Sequence, residues 1–499
     1  MPKNFAIVDL FAGPGGLGEG FSRAGRDAGG AMNIHLSVEM DQHAVQTLRL
    51  RSFLRSFDEM PPEYYAALNN SSALPDWAEL YPSAWKSAEI EVRQRVLGAD
   101  GVFEELAGQL DHIRETHHGD TILIGGPPCQ AYSLAGRSRN KGKADYVPEE
   151  DDRHYLYREY VRILDRLNPA AFVMENVKGM LSSKVDGGGI FHRVLEDLEG
   201  AGDGYRLIPL ARPIPAEGTR AAAGDFLIRA EEHGVPQARH RVIILGIRRD
   251  LAKDLSSGEI PLGEQQQPVS VSDVITDLCE LRSGLSYKDD TVRWQDAVRK
   301  QAERIWQADD LPAEVRKIAE TVFMANDLPR NRKGRQRDEA TAMPQHLQAW
   351  LLDPALRAVQ HHETRGHIPD DLGRYLFSAA WTQTFDRAPK LDQFPGFLQP
   401  DHRNRASGNF ADRFRTQAGA RPSTTVTSHI SKDGHYFIHP VPKQCRSLTV
   451  REAARLQTFP DNYHFCGPRT KQYHQVGNAV PPYLAYQIGK AVLDLIGST

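Results

Sequence analysis

The stretch "FAIVDLFAGPGGLGEGF", residues 5–21, decides how the rest of the chain is read. It opens as a short apolar run of the kind that forms a buried strand, meets Gly13, Gly15 and Gly16, and continues from Leu17 to Ala24 with helical spacing of its apolar residues. A strand that runs through glycines into a helix brings backbone amides close to a ligand, because glycine tolerates both the tight turn and the near approach. Taken alone, the pattern suits a plain strand-to-helix turn or a nicotinamide-binding fold equally well.

Four further apolar runs follow: "IHLSVEM" (34–40), "TILIGG" (121–126), "AAFVME" (170–175) and "RVIILGI" (241–247). Helix-like segments such as "LYREYVRILDRL" (156–167) lie between several of them. This alternation predicts an α/β fold, a Rossmann-like, mostly parallel, doubly wound sheet with functional residues at the carboxyl ends of its strands. Residues 48–118 interrupt the rhythm and are expected to be a helical insertion. After Asp250 the alternation stops, and residues 251–425 are expected to form a second, smaller domain. There "PRNRKGRQR" (329–337) and "DHRNRASGNFADRFRTQ" (401–417) are the basic clusters. Order returns over residues 426–499, which are expected to complete the first domain. Within them Thr449 and Glu452 have capping-box spacing ahead of an apolar helical face.

Composition narrows the function classes. The 499 residues are 40 % hydrophobic and 25 % charged, with a formal net charge of −4, so any nucleic-acid surface must be a local patch. Cys129, Cys279, Cys445 and Cys466 show no metal-ligand or paired spacing, which argues against both a zinc site and a disulfide framework. No run has the apolar length of a membrane span, and the first residues enter a strand directly; a cytoplasmic protein without a membrane partner is expected. An acid at the second strand end, Glu39, is placed to accept the ribose hydroxyls of an adenosine cofactor.

Six motifs then occur in a telling order: "DLFAGPGG", "GGPPCQAYS", "MENVKG", "GVPQARHRV", "LTVREAARLQTFP" and "QVGNAVPP". Together they resemble the cytosine-5 DNA methyltransferases. The resemblance covers residues 1–47, 119–250 and 420–499. It implies S-adenosylmethionine as cofactor, no metal, double-stranded DNA as partner, and a target-recognition domain at 251–425. It makes Cys129 the nucleophile that adds to cytosine carbon 6, an attack the ring needs because carbon 5 alone is a poor nucleophile. Glu175 would meet the charge pushed onto nitrogen 3, with Asn176 steadying the loop. Arg239 would hydrogen-bond the cytosine oxygen, and Arg241 would be the more structural of the two arginines. For the cofactor it implies Asp9, Phe11, Ala12, Gly13, Gly15, Gly16 and Leu17 along the glycine loop, Glu39 at the ribose and Met40 at the base. Asp100 would meet the adenine amino group, with "LDHIRE" (110–115) as the competing segment, and Pro127, Leu156, Asn478 and Val480 would complete that pocket.

A cytosine stacked in a duplex cannot present carbon 6 to a thiol, so the base must be flipped out. Gln130, Ser133, Arg137 and Arg139 follow the nucleophile and are expected at the DNA, as are Gln237, Thr425 and Thr427. Two other readings share the scaffold: a transfer-RNA cytosine-5 methyltransferase, against which the long second domain argues, and a non-catalytic DNA-binding module. A restriction endonuclease or a phage-defence component is an expected partner class, because the same catalytic domain serves either setting.

Overall fold

The computed structural model describes residues 3–128, 156–182, 184–185, 188–253, 255–400 and 412–497. β1 (Phe5–Leu10) is an inner strand of the main sheet, flanked by β2 (Met32–Glu39) and β4 (Thr121–Gly125). β3 (Val92–Gln94) lies outside β2, and β5 (Ala171–Val177) outside β4, all in parallel pairing. A small hairpin, β6 (Lys184–Val185) with β7 (Gly188–Gly189), precedes β8 (Tyr205–Ile208) and β9 (Leu227–Arg229). After β10 (Gln237–Ala238), β11 (His240–Arg248) runs antiparallel to β5, β8 and β9. The order is β3-β2-β1-β4-β5-β11-β8, with β9 paired to β11. Successive strands move outward from β1 to β3, and β4 then returns to the other side of β1. The gap between the ends of β1 and β4 is therefore the switch point where such sheets bind ligands.

All six residues of β1 are buried, as a parallel strand covered on both faces requires. Phe5 and Ile7 pack with Leu17, Phe21 and Ala24 of α1 (Gly16–Asp27) and with the helix Pro482–Gly497. Ala6, Val8 and Leu10 face the other way, onto the helix Leu156–Leu167 and α6 (Val102–Thr116). The last helix thus covers the first strand. α1 and that helix approach so closely that a side chain on Gly20 would lie 2.4 Å from the Tyr486 nitrogen.

The expected insertion is narrower than 48–118. β3 and α6 both fall inside that segment and belong to the doubly wound unit, and residues 48–55 finish α2 (Gln42–Arg55). Only α3 (Pro62–Asn70), α4 (Trp77–Leu80) and α5 (Pro82–Glu91) are additional; they pack around Phe53, Tyr64 and Trp77. Between residues 251 and 425 the regular structure of the described chain is mostly helical, with Thr291–Trp306, Ala313–Met324 and Pro369–Phe385 closing on a core around Trp294. Its strands are two-residue pairs: β12 (Gly284–Leu285) with β13 (Gly366–His367), and β14 (Ser423–Thr424) with β10 of the catalytic side.

Thr449 caps the helix Val450–Leu456 as its spacing predicts: its hydroxyl accepts from Glu452 N, and the Glu452 carboxylate accepts from Thr449 N at 2.7 Å. Behind this box lie buried arginines. Arg446 forks onto Glu452 at 2.7 and 2.6 Å, and Arg455 spans Asp277 and Asp461 at 2.5 to 2.9 Å. Among the described residues no helix is long and apolar enough to cross a membrane, and no three His, Cys, Asp or Glu side chains converge as a metal site.

Candidate active site

At the end of β1 the backbone turns through left-handed conformations at Phe11 (φ 53), Gly13 (φ 57) and Gly15 (φ 94). A phenylalanine there carries strain of the kind that collects at functional sites. Gly16 opens α1, and a Cβ on it would lie 2.2 Å from the Val480 carbonyl oxygen, so only glycine fits. Nothing stands within 4 Å of a Cβ built on Gly13. That residue faces open space. Glu39, at the end of β2, accepts from Gly13 N at 2.9 Å and from Asp41 N at 2.7 Å, which ties the two strand ends together. Burial pushes its carboxyl above the ordinary range, and the two amides pull it back.

Beneath the loop lies Asp9, 1 % exposed, with neither carboxylate oxygen partnered among the described residues. Burial pushes its carboxyl up to about 8, with Arg55 opposing and Glu39 and Glu91 adding to the rise. The unfolded chain ionises Asp9 near 3.8, so the protein loses stability as pH climbs from there to about 8. Asp9→Asn removes that slope. The variant is expected to gain on the order of a few kcal/mol over the parent at pH 8 and little at pH 4, read from urea unfolding across pH. A parallel loss in both proteins would refute the burial of an ionisable group here.

Across the switch point, the turn after β4 runs through Gly126 and Pro127. A Cβ on Gly126 would be 3.0 Å from Glu175 Oε2, so the turn leading toward residue 129 lies against that carboxylate. Asn176 Nδ2 donates to Pro127 O at 3.2 Å, and its Oδ1 accepts from Val177 N. Asn176 therefore links the end of β5 to the turn after β4. Cys129 itself, with Gln130, Ser133, Arg137 and Arg139, lies outside the described residues.

The two arginines differ in their partners within the protein. Arg241 Nε lies 2.8 Å from Glu175 Oε1, both side chains about 15 % exposed. The register explains it: Ile243 of β11 stands opposite Glu175 of β5, which puts Arg241 on the same face as its diagonal neighbour. Arg239, 3 % exposed, instead donates from Nη1 to Val426 O at 2.9 Å, and its Nε has no partner among the described residues. Burial and the neighbouring Arg241 push this guanidinium below the usual arginine value, against the pull of Glu175.

Two residues expected at DNA are occupied within the protein. Gln237 is fully buried, donates to Leu456 O and Gln457 Oε1, and accepts from Val426 N at 2.8 Å. It is a joint between β10 and the return segment, with no side-chain atom left for a nucleotide. Thr425 donates its hydroxyl to Ala238 O at 2.7 Å, whereas Thr427 is exposed. The backbone of Thr427 and Ser428 packs against Gly477, next to Asn478, whose side chain is exposed beside His474. Leu156 stands against Gly98, and Asp100 is exposed in the turn between β3 and α6. Met40 is 63 % exposed at the lip of the glycine loop. Sequence reasoning missed the Val426 carbonyl, because no side-chain chemistry announces a backbone acceptor.

A model of the C-5 cytosine-specific DNA methylases matches residues 107–494. The chain belongs to that family. It is a DNA cytosine-5 methyltransferase, and the family's methyl donor is S-adenosylmethionine. Type II methyltransferase M.Bpa9945I of Bacillus paralicheniformis is 32 % identical, covering 98 % of this chain and 99 % of its own. Type II methyltransferase M.AgeI of Thalassovita gelatinovora is 30 % identical, covering 98 % of each. A solved structure described as a prophage-encoded DNA modification methyltransferase of E. coli matches 99 % of both chains, with a TM-score of 0.51 and 20 % identity, a likeness of fold. The glycine loop suits this family's donor. Gly13 leaves room above the loop, Glu39 retains lone pairs toward it, and the orphaned Asp9 oxygens lie beneath it.

Proposed function

We propose that this methyltransferase works through a covalent Cys129 adduct on a flipped-out cytosine within a short duplex site, with its donor held at the glycine loop. The observation that carries the reading is the Glu175–Arg241 pair against the Gly126–Pro127 turn, at the switch point that also holds the glycine loop. S-adenosylmethionine, when bound, supplies an electrophilic methyl group. Gly13, Gly15, Gly16 and Leu17 would approach its methionine part, with Phe11, Ala12 and Met40 at the base and Glu39 at the ribose. Asp9 would lie below, while Asp100, Pro127, Leu156, Asn478 and Val480 close the sides.

The chain's own groups then do the following. The Cys129 sulfur bonds to carbon 6, and the carbon 5–carbon 6 double bond opens, pushing charge toward nitrogen 3 and the exocyclic oxygen. Glu175 shares a proton with nitrogen 3, its carboxylate aimed by Arg241. Carbon 5 would take the methyl group, the electrons of the broken sulfur–methyl bond staying on the donor's sulfur. A base then removes the carbon 5 proton, and the returning electrons expel the Cys129 thiolate. Arg239, its Nη1 on Val426 O, would hydrogen-bond the cytosine oxygen and hold the active site to the segment after β14 that carries Thr425 and Thr427. Thr427, exposed beside Gly477, is the proposed target-strand contact. Residues 251–425 would read the bases, and the type II methyltransferase relatives support a modification role beside a restriction endonuclease.

Purified protein given labelled donor and duplex DNA should label the DNA, and bisulfite sequencing should place 5-methylcytosine at one recurring short motif. Label that enters transfer RNA alone would overturn the substrate. DNA label that maps to no cytosine would overturn the carbon 5 assignment.

A further inference from the structure

The proposed chemistry makes no use of the additional helices α3 to α5, yet the last turn of α3 is unusually engaged. Carbonyls at a helix C-terminus need donors from elsewhere. Leu68 O accepts from Gln360 Nε2 at 2.6 Å and from Arg335 Nη2 at 3.3 Å, and Arg335 also reaches Asn69 O. A guanidinium at this end of a helix is also favoured by the helix dipole. The Asn69 side chain donates to Ala355 O at 3.0 Å and accepts from Arg357 N at 2.7 Å, and Leu356 enters the apolar core with Phe53, Tyr64, Leu68 and Trp77.

One turn earlier, Tyr65 donates its hydroxyl to Asp353 Oδ2 at 2.7 Å. The same oxygen accepts from Asn462 Nδ2 at 2.7 Å, and Tyr64 donates to Asn462 O at 2.6 Å. The residue after Asn462, Tyr463, gives its hydroxyl to Pro14 O within the glycine loop. One short helix is thus tied both to the 335–360 segment and to the stretch that touches the cofactor loop. The basic cluster "PRNRKGRQR" takes part: Arg332 pairs with Asp289 at 3.1 Å, Arg335 grips α3, and Arg337 lies 3.7 Å from Asp461. Three of its five cations, Arg332, Arg335 and Arg337, are thus engaged within the protein.

We infer that α3 is a clasp that registers the DNA-reading region against the catalytic sheet, with Tyr65, Asn69 and Arg335 as positioning residues. This rests on the proposed reading of residues 251–425. Loosening the clasp changes how DNA is seated and leaves the reacting groups at the switch point in place. The test uses full-length Tyr65→Phe, which removes one hydroxyl, and Tyr65→Phe/Arg335→Met, with kcat and KM for DNA measured on the cognate site and on sites altered at one base. KM for DNA should rise about tenfold in the double variant, discrimination against altered sites should fall, and kcat at saturating DNA should stay within about twofold. If the double variant fails to fold, the single variant must show the same split at smaller size. A folded variant with unchanged KM and discrimination, or one that loses kcat alone, overturns the clasp. Lack of DNA methylation by the unaltered enzyme, measured in parallel, would instead overturn the proposed function.

Discussion

Cys129→Ser is expected to lower methyl transfer by at least about a thousandfold while duplex and donor binding stay within about twofold of the unaltered enzyme. A serine hydroxyl near neutral pH offers almost no alkoxide, whereas a thiol reaches its nucleophilic form readily. The remaining cysteines cannot substitute: Cys445 is buried, and burial pushes the Cys466 thiol up to about 11 and raises that of Cys279. A duplex carrying 5-fluorocytosine supplies the second readout, because fluorine at carbon 5 cannot leave as a proton does and the sulfur stays bonded to carbon 6. The unaltered enzyme should form a denaturant-resistant conjugate in the presence of donor, and Cys129→Ser should form none. Near-normal turnover by the variant, or a conjugate mapped to another cysteine, would remove Cys129 from the mechanism.

The second large effect is on stability. Glu452 and Arg446 are each about 1 % exposed. Burial alone would raise the Glu452 carboxyl, but the Arg446 guanidinium more than offsets this and holds it far below its ordinary value of 4.5. Glu452→Gln leaves Arg446 as a buried charge without its anion, which costs about 3–5 kcal/mol. Urea unfolding at pH 7 should show that loss. The sign with pH follows: the parent keeps this stability above pH 4.5 and loses it only as pH falls toward the depressed value, so the gap between parent and variant should narrow in acid. A gap that stays constant as pH falls below 4.5 would mean that folding does not lower the Glu452 carboxyl.

Local chemistry made much of this legible. The run from Phe5 through Gly16 is the strand, turn and helix its pattern predicts, "LYREYVRILDRL" is the helix Leu156–Leu167, and Thr449 caps its helix through Glu452. β3 escaped because an edge strand needs little apolar surface: of Val92, Arg93 and Gln94 only the valine is buried. The partner of Glu175 escaped for a different reason. Whether Arg239 or Arg241 meets it depends on the antiparallel register of β11 against β5, a long-range pairing that no local spacing encodes. The cluster at 329–337 could be seen as basic, but its acceptors, including the Leu68 and Asn69 carbonyls, lie more than 260 residues away from Arg335.

The packing of the helix Pro482–Gly497 onto α1 and β1 has a price during synthesis. The first strand and helix leave the ribosome long before their covering partner is made, and at ordinary elongation rates the wait is roughly half a minute or more. Throughout that interval the faces of Phe5, Ile7 and Phe21 lack the surface that later shields them. Apolar surface left uncovered for that long is open to aggregation, so co-expressing a holdase chaperone is expected to raise the soluble yield of the chain.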